Sequence, residues 1–187
     1  MGTLTFSPDS KRLAYGAIAG GKLFVVVDGV EGKQYDGTGA GTLTFSPDSR
    51  RLAYGTNVDK KWFVVVDGVE EKRYDGIGAG ALTFSPDGMR LAYIARVGKK
   101  WFVVVNGGEG KRYDGIAESG LIFSPDSRRL AYGAQAGKKW FVVVDGVEGK
   151  QCDGILAGGR NIFDSASSLH YLAVRSNEVS LVEEWME

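Results

Sequence analysis

The tetrapeptide Phe-Ser-Pro-Asp begins at Phe6, Phe45, Phe84 and Phe123, returning each time after 39 residues. A fixed period of this length marks a stack of like supersecondary units, because one such unit cannot bury its own apolar surface and depends on its neighbours to do so. The anatomy of a single repeat, and the number of repeats, therefore decide the architecture.

The second repeat shows four strand patterns. Residues 43–45 make the first, closed by Ser46-Pro47-Asp48-Ser49, where the fixed φ of proline and the flanking Ser and Asp suit a tight turn. Residues 51–54 make the second. Residues 62–66, Trp-Phe-Val-Val-Val, make the third and strongest, with Asp67-Gly68 opening the turn after it. Residues 72–75 make the fourth. No window carries apolar residues at helical spacing, and Gly and Pro punctuate every stretch. The chain is expected to be all-β.

The third strand has no polar face. Trp62, Val64 and Val66 alternate with Phe63 and Val65, so the sheet must be covered on both sides, as in sheets stacked between two others. The second strand supplies the complement, with Leu52 and Tyr54 large on one face and Ala53 and Gly55 small on the other. Four-stranded units of about 40 residues, stacked face to face around an axis, describe a β-propeller, in which each buried Val, Phe or Trp contributes about 1.5 to 3 kcal/mol. Four full repeats occupy residues 3–41, 42–80, 81–119 and 120–159, and a divergent partial repeat spans 160–187. Its strands begin around Arg160, His170 and Val179, and no fourth follows before Glu187. The expectation is a single propeller domain of five blades, the last lacking its outer strand. A monomer is expected, with a homodimer that completes a ring, or a fragment of a parent with more blades, as the alternatives.

The phrase Phe-Ser-Pro-Asp-Ser/Gly-x-Arg-Leu-Ala-Tyr, as at residues 84–93, resembles the signature of the TolB-like, WD-repeat-like propeller blades of bacteria and archaea. The resemblance covers the four full repeats and implies the propeller fold. It implies no one activity, because such blades occur in TolB, in the propellers of prolyl-oligopeptidase-type peptidases and in many binding proteins.

Charge and composition exclude some classes of function. Lys plus Arg and Asp plus Glu each number 23, a net charge of zero that gives no global attraction to nucleic acid or membrane. Only Cys152 is present, so no internal disulfide forms. The chain as written has no signal segment and no long apolar span, which places it in the cytoplasm, or in periplasm or extracellular space if it is cut from a longer parent. Catalytic candidates are sparse: His170 is the sole histidine and is read as a surface or packing residue, Cys152 stands where Tyr35, Tyr74 and Tyr113 stand in other repeats, and no His/Cys set has zinc spacing. The chain is therefore expected not to be an enzyme and to need no cofactor. The glycine runs from Gly37 to Gly41 and from Gly76 to Gly80 precede a strand rather than a helix, so they read as connections between blades.

Two recurring charge sets are the candidate ligand-binding residues. Asp36, Asp75, Asp114 and Asp153 follow the fourth strands and read first as turn residues, with a cation or hydroxyl-rich ligand as the alternative. Lys61, Lys100 and Lys139 precede the third strands and read as a solvated rim, with an anionic polymer as the alternative. The functional expectation is a non-catalytic scaffold that binds a protein or peptide. Its rivals are a multivalent lectin-like propeller with a glycan pocket between blades, and an amplified or engineered propeller without an evolved ligand.

Overall fold

The computed structural model describes residues 4–39, 42–79, 82–117, 120–156, 162–176 and 178–186. Ala40, Gly41 and Gly80 of the glycine runs, with Arg160 and Glu187, lie outside the described residues. Five antiparallel sheets follow one another along the chain and fit five blades. No helix long and apolar enough to cross a membrane occurs among the described residues.

Blade one comprises β1 (Leu4–Phe6), β2 (Leu13–Ala19), β3 (Lys22–Val27) and β4 (Val30–Glu31). Blade two comprises β5 (Gly37–Thr38), β6 (Thr44–Phe45), β7 (Leu52–Val58), β8 (Lys61–Val66) and β9 (Val69–Glu70). Blade three repeats this pattern as β10 (Gly76–Ile77), β11 (Thr83–Phe84), β12 (Leu91–Val97), β13 (Lys100–Val105) and β14 (Gly108–Glu109). Blade four does so as β15 (Gly115–Ile116), β16 (Ile122–Phe123), β17 (Leu130–Ala136), β18 (Lys139–Val144) and β19 (Val147–Glu148). Blade five has β20 (Gly154–Ile155), β21 (Ile162–Phe163), β22 (Ser168–Arg175) and β23 (Glu178–Trp185), with no strand beyond β23 among the described residues.

The inner strand is longer than its sequence pattern shows, and it is split. Both β5 and β6 pair with β7, Thr38 opposite Thr56 and Thr44 opposite Ala53. The start of the glycine run is thus a strand of the next blade rather than a connection. The second strand also runs on through Gly55, Thr56, Asn57 and Val58, because the full length of the third strand pairs with it. The outer strand is ragged: β9 pairs with Val65 and Val66, and Tyr74 then bridges Trp62. Asp75 immediately donates its N–H to the Arg96 carbonyl of blade three, so the outer edge of one blade passes directly into the inner edge of the next.

The two-sided third strand packs as its sequence demands. Phe63 and Val65 join Val25 and Tyr35 of blade one, while Val64 and Val66 join Tyr93, Phe102 and Val104 of blade three. In blades one to three a tyrosine closes the outer strand and packs edge-on against the next blade. Tyr35 lies 5.7 Å from Phe63, Tyr74 lies 5.5 Å from Phe102, and Tyr113 lies 5.7 Å from Phe141.

Polar hooks reinforce each interface. Arg12 donates to the carbonyls of Ser49 and Arg50 with its guanidinium 5.2 Å from the Phe45 ring. Arg51 reaches Gly88, Met89 and Phe84 in the same way, and Arg90 reaches Ser127 and Phe123. Lysines of the outer strands pair with glutamates of the following blade: Lys33 with Glu70, Lys72 with Glu109, Lys111 with Glu148.

The turn between third and fourth strands is of type I′, with both central residues at positive φ, as at Asp67 (52°) and Gly68 (84°). The Asp67 carboxylate accepts the Leu52 N–H at 2.8 Å, and Asn106 does the same for Leu91 at 2.9 Å. Asp67→Asn should therefore leave thermal stability nearly unchanged. Asp67→Ala, which loses the acceptor and tolerates the left-handed conformation poorly, should cost about 1 to 3 kcal/mol in urea unfolding.

The Tyr113 hydroxyl is buried without a hydrogen-bond partner. Burial is the leading cause that pushes the Tyr35, Tyr93, Tyr113 and Tyr171 hydroxyls above their ordinary value, followed by neighbouring Tyr54 for Tyr35, by Glu71 for Tyr93, by Tyr132 for Tyr113 and by Glu184 for Tyr171. Because the folded values lie above the unfolded value of about 10, this contribution to stability is complete below pH ~10 and is lost as pH rises through the folded values. We expect these rings to stay un-ionised in the native protein and to titrate only with unfolding, followed by absorbance at alkaline pH. Tyr113→Phe should move that unfolding to higher pH without loss of stability at pH 7.

Candidate functional site

The aspartates and lysines singled out in the sequence meet one another. Lys61 pairs with Asp75 at 2.6 Å, Lys100 with Asp114 at 2.7 Å, and Lys139 with Asp153 at 2.5 Å, and Lys22 pairs with Asp36 likewise. The second carboxylate oxygen accepts a backbone N–H from the hairpin of the following blade: Asp59 for Asp36, Gly98 for Asp75, Gly137 for Asp114 and Ser176 for Asp153. Each aspartate thus ties two blades at one rim, with both oxygens engaged. All four carboxyls are held below the usual range, Asp36, Asp114 and Asp153 chiefly by their lysines and Asp75 chiefly by the Gly98 N–H.

Their contribution to stability is present above the unfolded carboxyl value of about 4 and is lost as pH falls below it. The melting temperature should drop between pH 5 and pH 2. With all four aspartates changed to asparagine the drop should be shallower, and the melting temperature at pH 7 lower than in the parent chain.

Crevices open between blades on the opposite side of these sheets' hairpins. One of about 380 Å³ lies between blades one and two, lined by Arg12, Glu31, Tyr54 and Asp67. Another of about 460 Å³ lies between blades three and four, lined by Arg90, Glu109, Lys111, Tyr132 and Asp145. Between blades two and three, Glu71 replaces the glycine found at positions 32, 110 and 149, and its carboxylate accepts the Tyr93 hydroxyl at 2.6 Å. The crevices are therefore not equivalent. The lone Glu71 among Gly32, Gly110 and Gly149 is the sequence signal for this, legible from the 39-residue period itself.

A further crevice, of about 590 Å³, lies between blades four and five and runs along β23. Its walls are Val144, Val147, Trp185 and Met186, with Glu148, Lys150 and Glu184 at the polar end. Glu184 is fixed by the Tyr171 hydroxyl at 2.9 Å. β23 pairs with β22 along its whole length and with nothing on its other side among the described residues. In the other blades Trp62, Trp101 and Trp140 exchange hydrogen bonds with the outer strand from the register position that Val179 holds in blade five. The N–H and C=O groups of Val179, Leu181 and Glu183 accordingly face the open edge. Val179 (57%), Leu181 (58%) and Trp185 (76%) are largely exposed beside it.

His170 holds the register position of Ala131, opposite Ile162 of the inner strand, and its Nδ1 lies 2.7 Å from Asp164. Cys152 takes the place of the outer-strand tyrosine; it is buried, its Sγ contacts the Trp140 and Gly154 carbonyls, and burial pushes its thiol up. No group of three or more His, Cys, Asp or Glu side chains suited to a metal ion occurs among the described residues.

No family model matches the chain, and no curated protein does. Among solved structures, TolB from Acinetobacter baumannii superposes with a TM-score of 0.51 at 14% identity, over 98% of this chain and 51% of TolB. The Dos1 propeller superposes at 0.53 with 12% identity, over 98% of this chain and 54% of that one. The chain has a TolB-like β-propeller fold. It spans about half the length of these two structures.

An acylaminoacyl peptidase in complex with Z-Gly-Gly-Phe-chloromethyl ketone also superposes, at 0.54 and 12% identity, over the whole of this chain and 38% of the peptidase. That likeness corrects the expectation that the chain is not an enzyme. The same propeller fold is built into an enzyme, and a count of histidines in this chain is no ground for excluding catalysis.

Proposed function

We propose that the propeller binds a protein or peptide partner, and that the partner adds an extended strand to the open edge of β23. The observation that carries this reading is an eight-residue strand whose outer edge is unpaired among the described residues, beside a crevice of about 590 Å³. Strand addition draws affinity from main-chain hydrogen bonds and specificity from pockets for alternate side chains, and both elements are present here. The outer strands of the full blades are the template for the ligand. They read Val69-Glu70-Glu71-Lys72-Arg73-Tyr74 or Val147-Glu148-Gly149-Lys150-Gln151-Cys152, extended segments whose basic residues suit an edge carrying Glu178, Glu183 and Glu184.

A glycan-binding reading is supported by the recurrence of crevices at two further interfaces, but Glu71 breaks their equivalence. A peptide with the sequence of residues 69–76 should quench or shift the fluorescence of exposed Trp185 with saturable binding. Leu181→Pro removes one edge N–H where proline is sterically tolerated; it should weaken that binding at least tenfold and change the melting temperature little. Retention of full affinity by this variant would overturn strand addition, and saturable binding of glycans with no response to the peptide would favour the crevices.

A further inference from the structure

The three interfaces that join blades one to two, two to three and three to four use one set of donors and one set of acceptors. The donor blade gives an arginine placed just before its second strand and a lysine from its outer strand. The acceptor blade gives the phenylalanine ring, the carbonyls that follow the Ser-Pro-Asp turn, and a glutamate at the start of its outer strand. At two of the interfaces a serine of the acceptor turn also receives a backbone N–H of the donor turn: Ser49 from Asp9 at 3.0 Å, and Ser127 from Asp87 at 2.9 Å.

Blade one keeps the whole acceptor set. Phe6, Ser10 with its neighbour Lys11, and Glu31 occupy the positions of Phe45, Ser49 with Arg50, and Glu70. Ser10 already holds the left-handed φ of 61° seen at Ser49 (65°) and Ser127 (64°). No donor reaches these groups among the described residues. Phe6 is 60% exposed, against 7 to 9% for Phe45, Phe84, Phe123 and Phe163, and Leu4 beside it is 58% exposed. Blade five cannot act as the donor in this manner. Ser168 stands at the register position of Arg129, and no outer strand that could carry a lysine pairs with β23 among the described residues.

We propose that the open face of blade one is a docking surface for a partner blade of the same Phe-Ser-Pro-Asp type, which inserts an arginine over Phe6 and pairs a lysine with Glu31. The chemistry of the occupant follows from charge and shape complementarity realised three times within this molecule. Cation and ring, guanidinium and paired carbonyls, ammonium and carboxylate each await the same counterpart. This surface is separate from the β23 edge, at the other end of the row of blades, so the two readings stand or fall independently.

The probe is the same chain with its fifth blade replaced by a further copy of the fourth, which restores the arginine and lysine donors, and with Phe6→Ala to remove its own acceptor. Mixed with the unaltered protein and followed by sedimentation, the folded probe should form a 1:1 complex. Phe6→Ala in the receptor, or alanine in place of the donor arginine in the probe, should weaken the complex at least tenfold. No complex with a probe that is folded by circular dichroism, or a complex indifferent to both substitutions, would overturn the proposal. A measurement independent of the probe is thermal melting of the intact chain. Phe6→Ala should leave the melting temperature within about 1 °C, whereas Phe45→Ala should lower it by several degrees. An equal drop for both would show Phe6 already covered, and a self-dimer dissolved by Phe6→Ala would identify a second copy of this chain as the occupant; either result sinks the partner-blade assignment.

Discussion

Everything in this fold depends on a strand with no polar face. Residues 62–66 and their counterparts place Phe and Val on one side and Trp and Val on the other, so a blade with only one neighbour leaves apolar surface in water. Stability is then shared between nearest neighbours rather than gathered into one central core. The buried clusters obey this, each drawing on two consecutive blades. Nothing within a single 39-residue unit would hold it folded, and the ends of the row inherit the problem that the middle has solved.

Much of this was legible from residues, and the physical reason is that period and alternation act locally. The five blades, with no strand beyond β23 among the described residues, and the cover on both faces of the third strand follow from side-chain size along one strand. What escaped depends on pairing across distance. The strand at Gly37–Thr38 looked like a linker because glycine carries no apolar signal, yet its backbone bonds to Asn57 and Thr56 place it in the sheet. The aspartates and lysines could be seen to recur, but that Lys61 reaches Asp75 across the blade, and that Asp75 reaches Gly98 in the next, requires the register. The turn between Phe163 and Leu169 is one residue shorter than that between Phe123 and Leu130, so the counterpart of His170 is Ala131, which again requires the register.

The tyrosine ladder shows how a repeat can place polar groups where a core would refuse them. Tyr74 and Tyr113 lie within the interface with hydroxyls that have no partner, while Tyr93 and Tyr171 hand theirs to Glu71 and Glu184. An unmade hydrogen bond in such a place costs about 1 to 3 kcal/mol. The edge-on contacts of these rings with Phe102 and Phe141 offset part of that cost, which is why a tyrosine can persist at a position where phenylalanine would pack as well.

Near-identity of repeats makes their differences informative. A residue that returns in every blade serves an interface that every blade shares, so the groups that distinguish this molecule stand where the pattern breaks. Glu71 places a carboxylate on the Tyr93 hydroxyl where the other repeats carry glycine. Cys152 replaces a tyrosine at the junction with blade five, and Ser168 replaces an arginine on its far side. The two ends of the row are consequently unlike in kind. The fifth blade carries Ser168 where the donor arginine stands and offers a main-chain edge, whereas the first retains a full set of acceptors. A chain built from one repeated unit thereby carries two different surfaces, because the interface between units is itself asymmetric and each end exposes only one half of it.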